Sequence, residues 1–269
     1  MVIDINMTNF GYDSESNEMS NNDNIMDSVS QTELFQKYCS LLKKQDFDNA
    51  DILFNDINWY LLVKSDCPYI LKTVPIITED FLLNIFCSIG SRRLWDFYID
   101  FFILKSRIRR KMSPKVEAYG WKYVYQIDYV HLDDKFILID VLNRITLNNR
   151  MTDKELEYYN RLPDKFMVYR GTNENEYESG KIGVSWTPEQ KVAEYFAYRR
   201  EEQDSLVSKR IVLATTICKE DITACLLDRN ESELIIDSKK LSDIHVLLTQ
   251  RTDLYDVYAK EVKSGYKQK

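Results

Sequence analysis

The 269-residue chain contains little glycine, proline or histidine. Its 7 Gly and 5 Pro exclude collagen-like, elastic and proline-rich proteins, which need far more of both. No GxxxxGK or GxGxxG sequence occurs, so nothing supports a kinase, an NTPase or a dinucleotide-fold dehydrogenase. His131 and His245 are the two histidines, and neither lies near a nucleophile elbow. Ser-His and Cys-His hydrolases are therefore unsupported.

The 5 cysteines are odd in number, include no CxxC pair and have no histidine close in sequence. These features argue against a disulfide framework and against a zinc site, so we expect no metal. The N-terminus lacks an apolar stretch led by Lys or Arg, and the most apolar run, 94–104, contains two Asp. We therefore expect a cytoplasmic protein with reduced thiols and without a secretory signal or a membrane span.

Acidic residues outnumber basic ones, 43 to 36, which gives a formal net charge of -7 and a pI of about 5.1. This balance argues against direct nucleic-acid binding, which needs positive surface to displace counterions. Residues 1–30 hold six of the acids and no Lys or Arg, and they are rich in Asn and Ser. We predict a disordered acidic tail at 1–30, because this composition buries too little apolar surface to offset ordering.

Hydrophobic residues make up 44% of the chain, enough to form a sizeable core. Helical periodicity dominates residues 31–150, and Thr78 is placed to cap one helix there. After residue 150, short β-branched segments predict strands at 167–169, 182–186, 209–217 and 234–237. The fold class is therefore α+β, with a helical region at 31–150 and a mixed domain at 151–269.

A helix is also predicted within the mixed domain. Thr187 is a suitable N-cap, Pro188 suits the first helical position, and Gln190 completes a capping box. The apolar residues Val192 and Phe196 then lie on one face.

Three polar motifs accompany the predicted strands, namely Val168-Tyr169-Arg170-Gly171-Thr172, Gly183-Val184-Ser185-Trp186-Thr187 and Glu231-Ser232-Glu233. Arg170 ends an apolar strand before Gly171, which suggests a fixed cation beside backbone that another group approaches closely. Glu231 and Glu233 stand two apart, so a strand would place both carboxylates on one face, about 6.6–6.8 Å apart along the backbone. Taken singly, the motifs also fit a surface ion pair, an edge strand and a solvated face, but their combination is more specific.

The three motifs resemble the Arg, Ser-Thr-Ser and Glu-x-Glu elements of mono-ADP-ribosyltransferases of the arginine–serine–glutamate class. The resemblance covers about 165–240, and the helical half contributes nothing to it. Two features depart from the family pattern: Trp186 and Thr187 replace the Thr and Ser of the central motif, and the segment from Trp186 to Glu231 is short. Compact phage-encoded members, including anti-CRISPR ADP-ribosyltransferases, are the nearer counterparts.

The resemblance implies an ADP-ribosyltransferase-like pair of small packed β-sheets that binds NAD as its substrate. It implies that Arg170 anchors the phosphate and ribose side of NAD and that Ser185 braces Glu233 and the Arg170 region. Gly171 would offer backbone groups to the nicotinamide amide. The other residues expected to line the NAD site are Thr172, Thr187 and three candidates for stacking on the nicotinamide, Trp186, Tyr195 and Phe196.

Cleavage of the nicotinamide–ribose bond passes through an oxocarbenium-like state. A carboxylate that binds the ribose 2′-hydroxyl stabilises the growing positive charge, and its position in the motif gives this role to Glu233. Glu231 would orient the acceptor and help to remove its proton. An arginine acceptor needs that help, because its guanidinium has a pKa above about 12.

The expected activity is therefore NAD-dependent mono-ADP-ribosylation of an arginine in a host or partner protein, as a phage counter-defence or host-takeover factor. Two alternatives stay open. An NAD glycohydrolase would use the same site and release nicotinamide without labelling a protein. A catalytically silent interaction module would bind a partner through residues 30–150 and use the second half as a scaffold.

Overall fold

The computed structural model describes residues 21–89, 94–99, 106–127, 132–199, 209–227 and 231–265. The chain divides into two compact units, Met1–Pro75 and Ile76–Lys269. The helices in the described ranges are α1 (Asn21–Lys43), α2 (Phe47–Asp56), α3 (Trp59–Thr73), α4 (Glu79–Ile89), α5 (Leu94–Tyr98), α6 (Ser106–Arg109), α7 (Pro114–Ile127), α8 (Leu132–Asn143), α9 (Leu147–Arg150), α10 (Asp153–Arg161), α11 (Glu174–Glu178), α12 (Gln190–Tyr198) and α13 (Asp253–Gly265). The strands are β1 (Lys165–Asn173), β2 (Ser185–Trp186), β3 (Arg210–Cys218), β4 (Ile222–Leu226), β5 (Glu233–Ile236) and β6 (His245–Leu248).

In the first unit, α1 packs against α2 and α3 around an aromatic core. The rings of Phe54 and Trp59 lie 4.8 Å apart, and the Trp59 indole N–H donates to the Phe54 carbonyl at 3.2 Å. α1 begins at Asn21, so residues 21–30 are helical and the tail predicted at 1–30 is wrong for that part. Residues 1–20 lie outside the described residues.

The helical part of the second unit is organised around α7, which contacts α4, α5 and α9. Trp121 of α7 is 1% exposed and packs edge-on against Tyr98, with ring centroids 4.7 Å apart. The predicted cap of α4 is confirmed, because Thr78 Oγ1 accepts a hydrogen bond from the Phe81 N–H at 3.2 Å. Within the part of the chain that the structure describes, no helix is both long and apolar enough to cross a membrane.

Two antiparallel three-stranded sheets complete the second unit, with strand orders β1-β3-β6 and β2-β5-β4. A bridge between Tyr169 and Thr187 joins them through backbone hydrogen bonds of 2.7 and 2.9 Å. Both sheets contribute to one hydrophobic core, formed by Met151, Val168, Ile182, Trp186, Ile211, Leu213, Ile217, Ile222, Cys225, Leu234 and Ile236. The α+β prediction is confirmed, and β4 and β6 are strands that the sequence patterns did not indicate.

The start of α12 differs from the prediction. Both backbone groups of Thr187 are engaged in the bridge to Tyr169, so the chain is still extended at Thr187 and the helix begins at Gln190. Thr187 Oγ1 accepts from the N–H of Glu189 at 3.2 Å, and the predicted capping box with Gln190 is absent. The bridge between the sheets therefore overrides the local capping signal.

A buried carboxylate fixes the chain that leads into α13 against α12. Glu194 of α12 is fully buried and accepts hydrogen bonds from the Thr252 N–H at 2.9 Å and the Thr252 hydroxyl at 2.8 Å. The Gln190 amide also donates to it at 2.9 Å. These bonds hold α13 beside α12, where Tyr258 of α13 contacts Tyr195.

Helices α4–α10 belong to the same compact unit as both sheets, so the unit boundary falls after Pro75 rather than at the expected residue 150. A buried ion pair crosses residue 150, with Lys122 Nζ of α7 lying 2.5 Å from Glu155 Oε2 of α10. The same carboxylate accepts from the N–H of Thr152 at 2.7 Å and so also caps α10. This contact ties the helical region to the mixed region.

Lys122→Met is expected to lower the free energy of unfolding by about 3–5 kcal/mol, because it leaves the Glu155 carboxylate buried without its cation. Urea unfolding measures the change. Lys154→Met removes an exposed lysine from the neighbouring helix and is the matched control, with an expected effect within about 0.5 kcal/mol. A Lys122→Met variant as stable as the control would show that the ion pair does not hold these helices.

Candidate active site

Arg170, Ser185 and Glu233 come together where three strands meet. Arg170 lies in β1, Ser185 in β2, and Glu233 begins β5. Pairing of β2 with β5 and the bridge between β1 and β2 bring the strands side by side. Arg170 Nη1 donates to the Ser185 carbonyl at 2.8 Å. The three predicted residues thus occupy one place in the fold.

Arg170 is held by a partner that the sequence analysis did not identify, Glu176 of α11. Arg170 Nε donates to Glu176 Oε1 at 2.8 Å, and Nη2 donates to Oε2 at 3.1 Å. Each side chain is only 10% exposed, so the pair lies largely out of solvent. Bidentate geometry of this kind fixes both the orientation and the position of a guanidinium.

Two further donors complete the surroundings of Glu176. Thr172 Oγ1 donates to Oε2 at 2.6 Å, and the Gly183 N–H donates to Oε1 at 2.8 Å. Burial alone would raise the pKa of Glu176, but the charge of Arg170 and these hydrogen bonds outweigh it and lower the pKa from its ordinary value of 4.5. The carboxylate is therefore ionised near neutral pH, and Thr172 is engaged with the protein.

Gly183 is required because the guanidinium of Arg170 lies directly against it. A Cβ at this position would lie 2.3 Å from Arg170 Nη2 and 2.7 Å from Cζ. Gly171 allows a different close contact, between β1 and the backbone of α12. A Cβ at Gly171 would lie 2.1 Å from the Ala193 carbonyl oxygen of α12. Gly171 thus lets α12 pack on β1, and its contact with nicotinamide stays a prediction.

Glu233 is bound by a side chain from the helical region. The hydroxyl of Tyr125, on α7, donates to Glu233 Oε1 at 2.9 Å, across 108 residues of sequence. Within the described ranges, Oε2 of Glu233 receives no hydrogen bond. The carboxylate is half-buried and keeps one oxygen available.

Tyr125 also lies near the other two residues of the cluster. Burial, followed by the charge and hydrogen bond of Glu233, raises the pKa of Tyr125 well above its ordinary value of 10.0. The nearby charge of Arg170 and the nearby Ser185 side chain act in the opposite direction and lower the pKa. The expectation that Ser185 braces Glu233 stays a prediction.

Glu231 lies outside β5, so the expectation that one strand carries both carboxylates on the same face is wrong. β5 begins only at Glu233, and a backbone hydrogen bond of 2.7 Å from the Glu233 N–H to the Glu231 carbonyl closes a three-residue turn. Ser232, in that turn, donates to Glu189 Oε1 at 2.7 Å. Burial and then the charge of Glu231 raise the pKa of Tyr258 to about 12. The two acids thus have different neighbours.

The motif residues Trp186 and Thr187 are built into the protein interior. Trp186 is 1% exposed in the shared core, and its indole N–H donates to the Gly183 carbonyl at 3.2 Å. It is therefore unavailable for stacking on nicotinamide, and that candidate is corrected. Thr187 is buried and engaged through its backbone in the bridge between the sheets.

Tyr195 and Phe196 lie on α12 and are partly exposed. The Arg199 guanidinium lies over the ring of Phe196, 4.4 Å from its centroid. Tyr195 packs against two rings of α13, with its ring centroid 6.0 Å from that of Tyr255 and 5.4 Å from that of Tyr258. Both residues stay candidates for stacking on nicotinamide.

The described part of the chain contains no group of three or more His, Cys, Asp or Glu side chains able to hold a metal ion. Comparison with protein-family models, with curated proteins and with solved structures found no match.

The pH dependence of stability tests the ion pair between Arg170 and Glu176. Because the pKa of Glu176 is lower in the folded state, its stabilisation is fully present above about pH 4.5 and is lost as the pH falls through the folded-state value. Glu176→Gln is expected to remove this acid-dependent loss and to cost about 3 kcal/mol at pH 7, because Arg170 stays buried without its anion.

Thermal unfolding between pH 3 and 7 measures both effects. Glu178→Gln, at an exposed position of the same short helix, is the matched control and is expected to follow wild type. An unchanged pH profile in Glu176→Gln would contradict the assignment.

Proposed function

We propose that the chain is an NAD-dependent protein mono-ADP-ribosyltransferase that modifies an arginine side chain. The observation that carries this proposal is the convergence of Arg170, Ser185 and Glu233 from three separate motifs onto one site. Two small sheets that share one core support an ADP-ribosyltransferase-like fold. No metal is needed for the chemistry, since the transition state carries positive charge that a carboxylate can stabilise directly.

Glu233 has the properties required of the catalytic carboxylate. One oxygen is held by the neutral phenol of Tyr125, while Oε2 can accept a hydrogen bond from a ribose hydroxyl. As the nicotinamide–ribose bond breaks and positive charge grows on the ribose, that hydrogen bond strengthens. A carboxylate already fixed in orientation gives this stabilisation without reorganising.

Arg170 serves the site first by shaping it. A guanidinium has five N–H groups, and Arg170 donates three of them to Glu176 and the Ser185 carbonyl. These contacts fix β1 against the segment 183–185. An anchoring contact with an NAD phosphate would use the remaining two N–H groups, one on each terminal nitrogen.

Glu231 is proposed to act on the acceptor. Its charge acts on Tyr258 of α13, whereas Glu233 contacts α7. A site with two carboxylates in separate surroundings suits a reaction with two substrates, because one acid can stabilise the ribose while the other accepts a proton from the incoming guanidinium.

The consequence of such a modification is electrostatic. ADP-ribosylation replaces the cationic fork of an arginine with a bulky anionic group, which prevents its recognition of phosphates or carboxylates. On this basis we propose a host or partner protein as the target. A role in phage counter-defence or host takeover follows from the resemblance described above.

Glu233→Gln is expected to abolish both nicotinamide release and protein labelling, a fall of at least about 100-fold. The measurement is incubation of a bacterial lysate with labelled NAD and either wild-type or variant protein. A discrete labelled band that is absent with Glu233→Gln supports the transferase. Free nicotinamide without a labelled band would instead indicate an NAD glycohydrolase, and equal signals from the two proteins would contradict catalysis at this site.

Glu231→Gln is expected to retain NAD cleavage within about 3-fold and to lose labelling of arginine, because the acceptor then keeps its proton. The same assay gives both readouts. Glu261→Gln, which removes another acid near Tyr258, is the comparison and is expected to label normally. Normal labelling by Glu231→Gln would show that the two acids do not divide the reaction in this way.

A further inference from the structure

We propose that Tyr125 is a positioning residue for Glu233, supplied by α7 of the helical region to orient the carboxylate for NAD cleavage. This inference rests on the proposed function and assigns a role in it to a residue outside all three motifs. The contact that carries it is the 2.9 Å hydrogen bond from the Tyr125 hydroxyl to Glu233 Oε1.

The hydrogen bond restricts how the carboxylate can turn. A glutamate at the first residue of a strand can rotate about three side-chain bonds, and only some rotamers present an oxygen to a substrate hydroxyl. By holding Oε1, the Tyr125 hydroxyl selects the rotamers in which Oε2 faces away from the phenol. The ordering entropy of the Glu233 side chain is then lost on folding rather than during the reaction.

Tyr125 can hold Glu233 in place because α7 is itself fixed. Lys122 lies three residues earlier on the same helix face, and its buried ion pair with Glu155 secures that face. Trp121, one turn before Tyr125, is buried against Tyr98. The phenol oxygen is therefore presented from a rigid helix rather than from a loop.

The direction of the hydrogen bond is also fixed. Burial and the neighbouring carboxylate raise the pKa of Tyr125, so the phenol keeps its proton at neutral pH and donates it to Glu233. The Ser185 side chain lies close enough to the phenol to act on its pKa, as the smallest of these effects. The hydrogen bond from Tyr125 therefore ends on the proposed catalytic carboxylate, and Ser185 is a candidate to act on the same phenol.

Tyr125→Phe tests this role, because it removes one oxygen atom and keeps the ring. Initial rates of nicotinamide release from NAD give kcat and KM separately. We expect kcat to fall about 10- to 100-fold while KM for NAD changes less than about 2-fold, since the substrate itself loses no contact. Tyr123→Phe removes a hydroxyl from the same helix at a position that packs against Phe86, and it should leave kcat unchanged.

Ser185→Ala provides a second variant that leaves the Tyr125 ring in place. It is expected to lower kcat by a smaller factor than Tyr125→Phe. The double variant should be no slower than Tyr125→Phe alone, because both substitutions act through the same phenol. Independent, multiplicative losses would show that Ser185 does not act through Tyr125.

A measurement without turnover completes the test. With ¹³C-labelled tyrosine, the Cζ resonance of Tyr125 should shift when Glu233 is changed to Gln, whereas that of Tyr123 should not. If wild-type protein cleaves NAD and Tyr125→Phe has the same kcat, the positioning role is overturned and the proposed function stays intact. A raised KM with unchanged kcat would make Tyr125 a substrate-binding residue instead. Wild-type protein that cleaves NAD no faster than Glu233→Gln would remove the proposed function itself.

Discussion

Arg170 and Glu176 form an ion pair that is nearly withdrawn from solvent and that joins β1, α11 and the segment leading into β2. Breaking it would leave a charge without its partner in a largely buried place, which costs several kcal/mol. The pair also explains why Gly183 carries no side chain, since the guanidinium occupies that space. The position of Ser185 depends on this contact through its carbonyl, and β5 with Glu233 is paired to the same short strand.

The helical part of the second unit takes part in the site as well as in the fold. α7 carries Lys122 and Tyr125 three residues apart, and each is bonded to an acid of the mixed region, Glu155 and Glu233. One contact secures the helix and the other reaches the carboxylate proposed to act on NAD. The site therefore combines residues of the three motifs with one from a helix that no motif includes, and all of them lie in the unit that begins at Ile76.

Local signals in the sequence predicted the features that depend on neighbouring residues. Thr78 was identified as a cap because its partner Phe81 is three residues away. The motif at Arg170 and the Glu-x-Glu motif also indicated which segment of the chain carries the candidate site. Features that depend on distant partners were missed or wrong. Trp186 was a candidate for stacking on nicotinamide, but the shared core buries it.

The missed residues share the same physical cause. Tyr125 is one of 18 tyrosines and meets Glu233 across 108 residues, so no spacing in the sequence distinguishes it. Glu176 lies only six residues after Arg170, but Arg170 belongs to a strand and Glu176 to a helix. Neither the strand period nor the helix period therefore predicts that their side chains meet. The turn at Ser232 likewise leaves Glu231 outside β5, and the hydroxyl of Ser232 donates to Glu189, 43 residues away in sequence.

Catalysis of NAD cleavage by Glu233 can be tested without the natural target, with purified protein and a small guanidine such as agmatine as acceptor. Nicotinamide release is followed by chromatography for wild type and for Glu233→Gln. If Glu233 is the catalytic carboxylate, release by wild type rises with the guanidine concentration and falls at least about 100-fold in the variant. Release at the same rate by both proteins, or none above the uncatalysed rate, would contradict it.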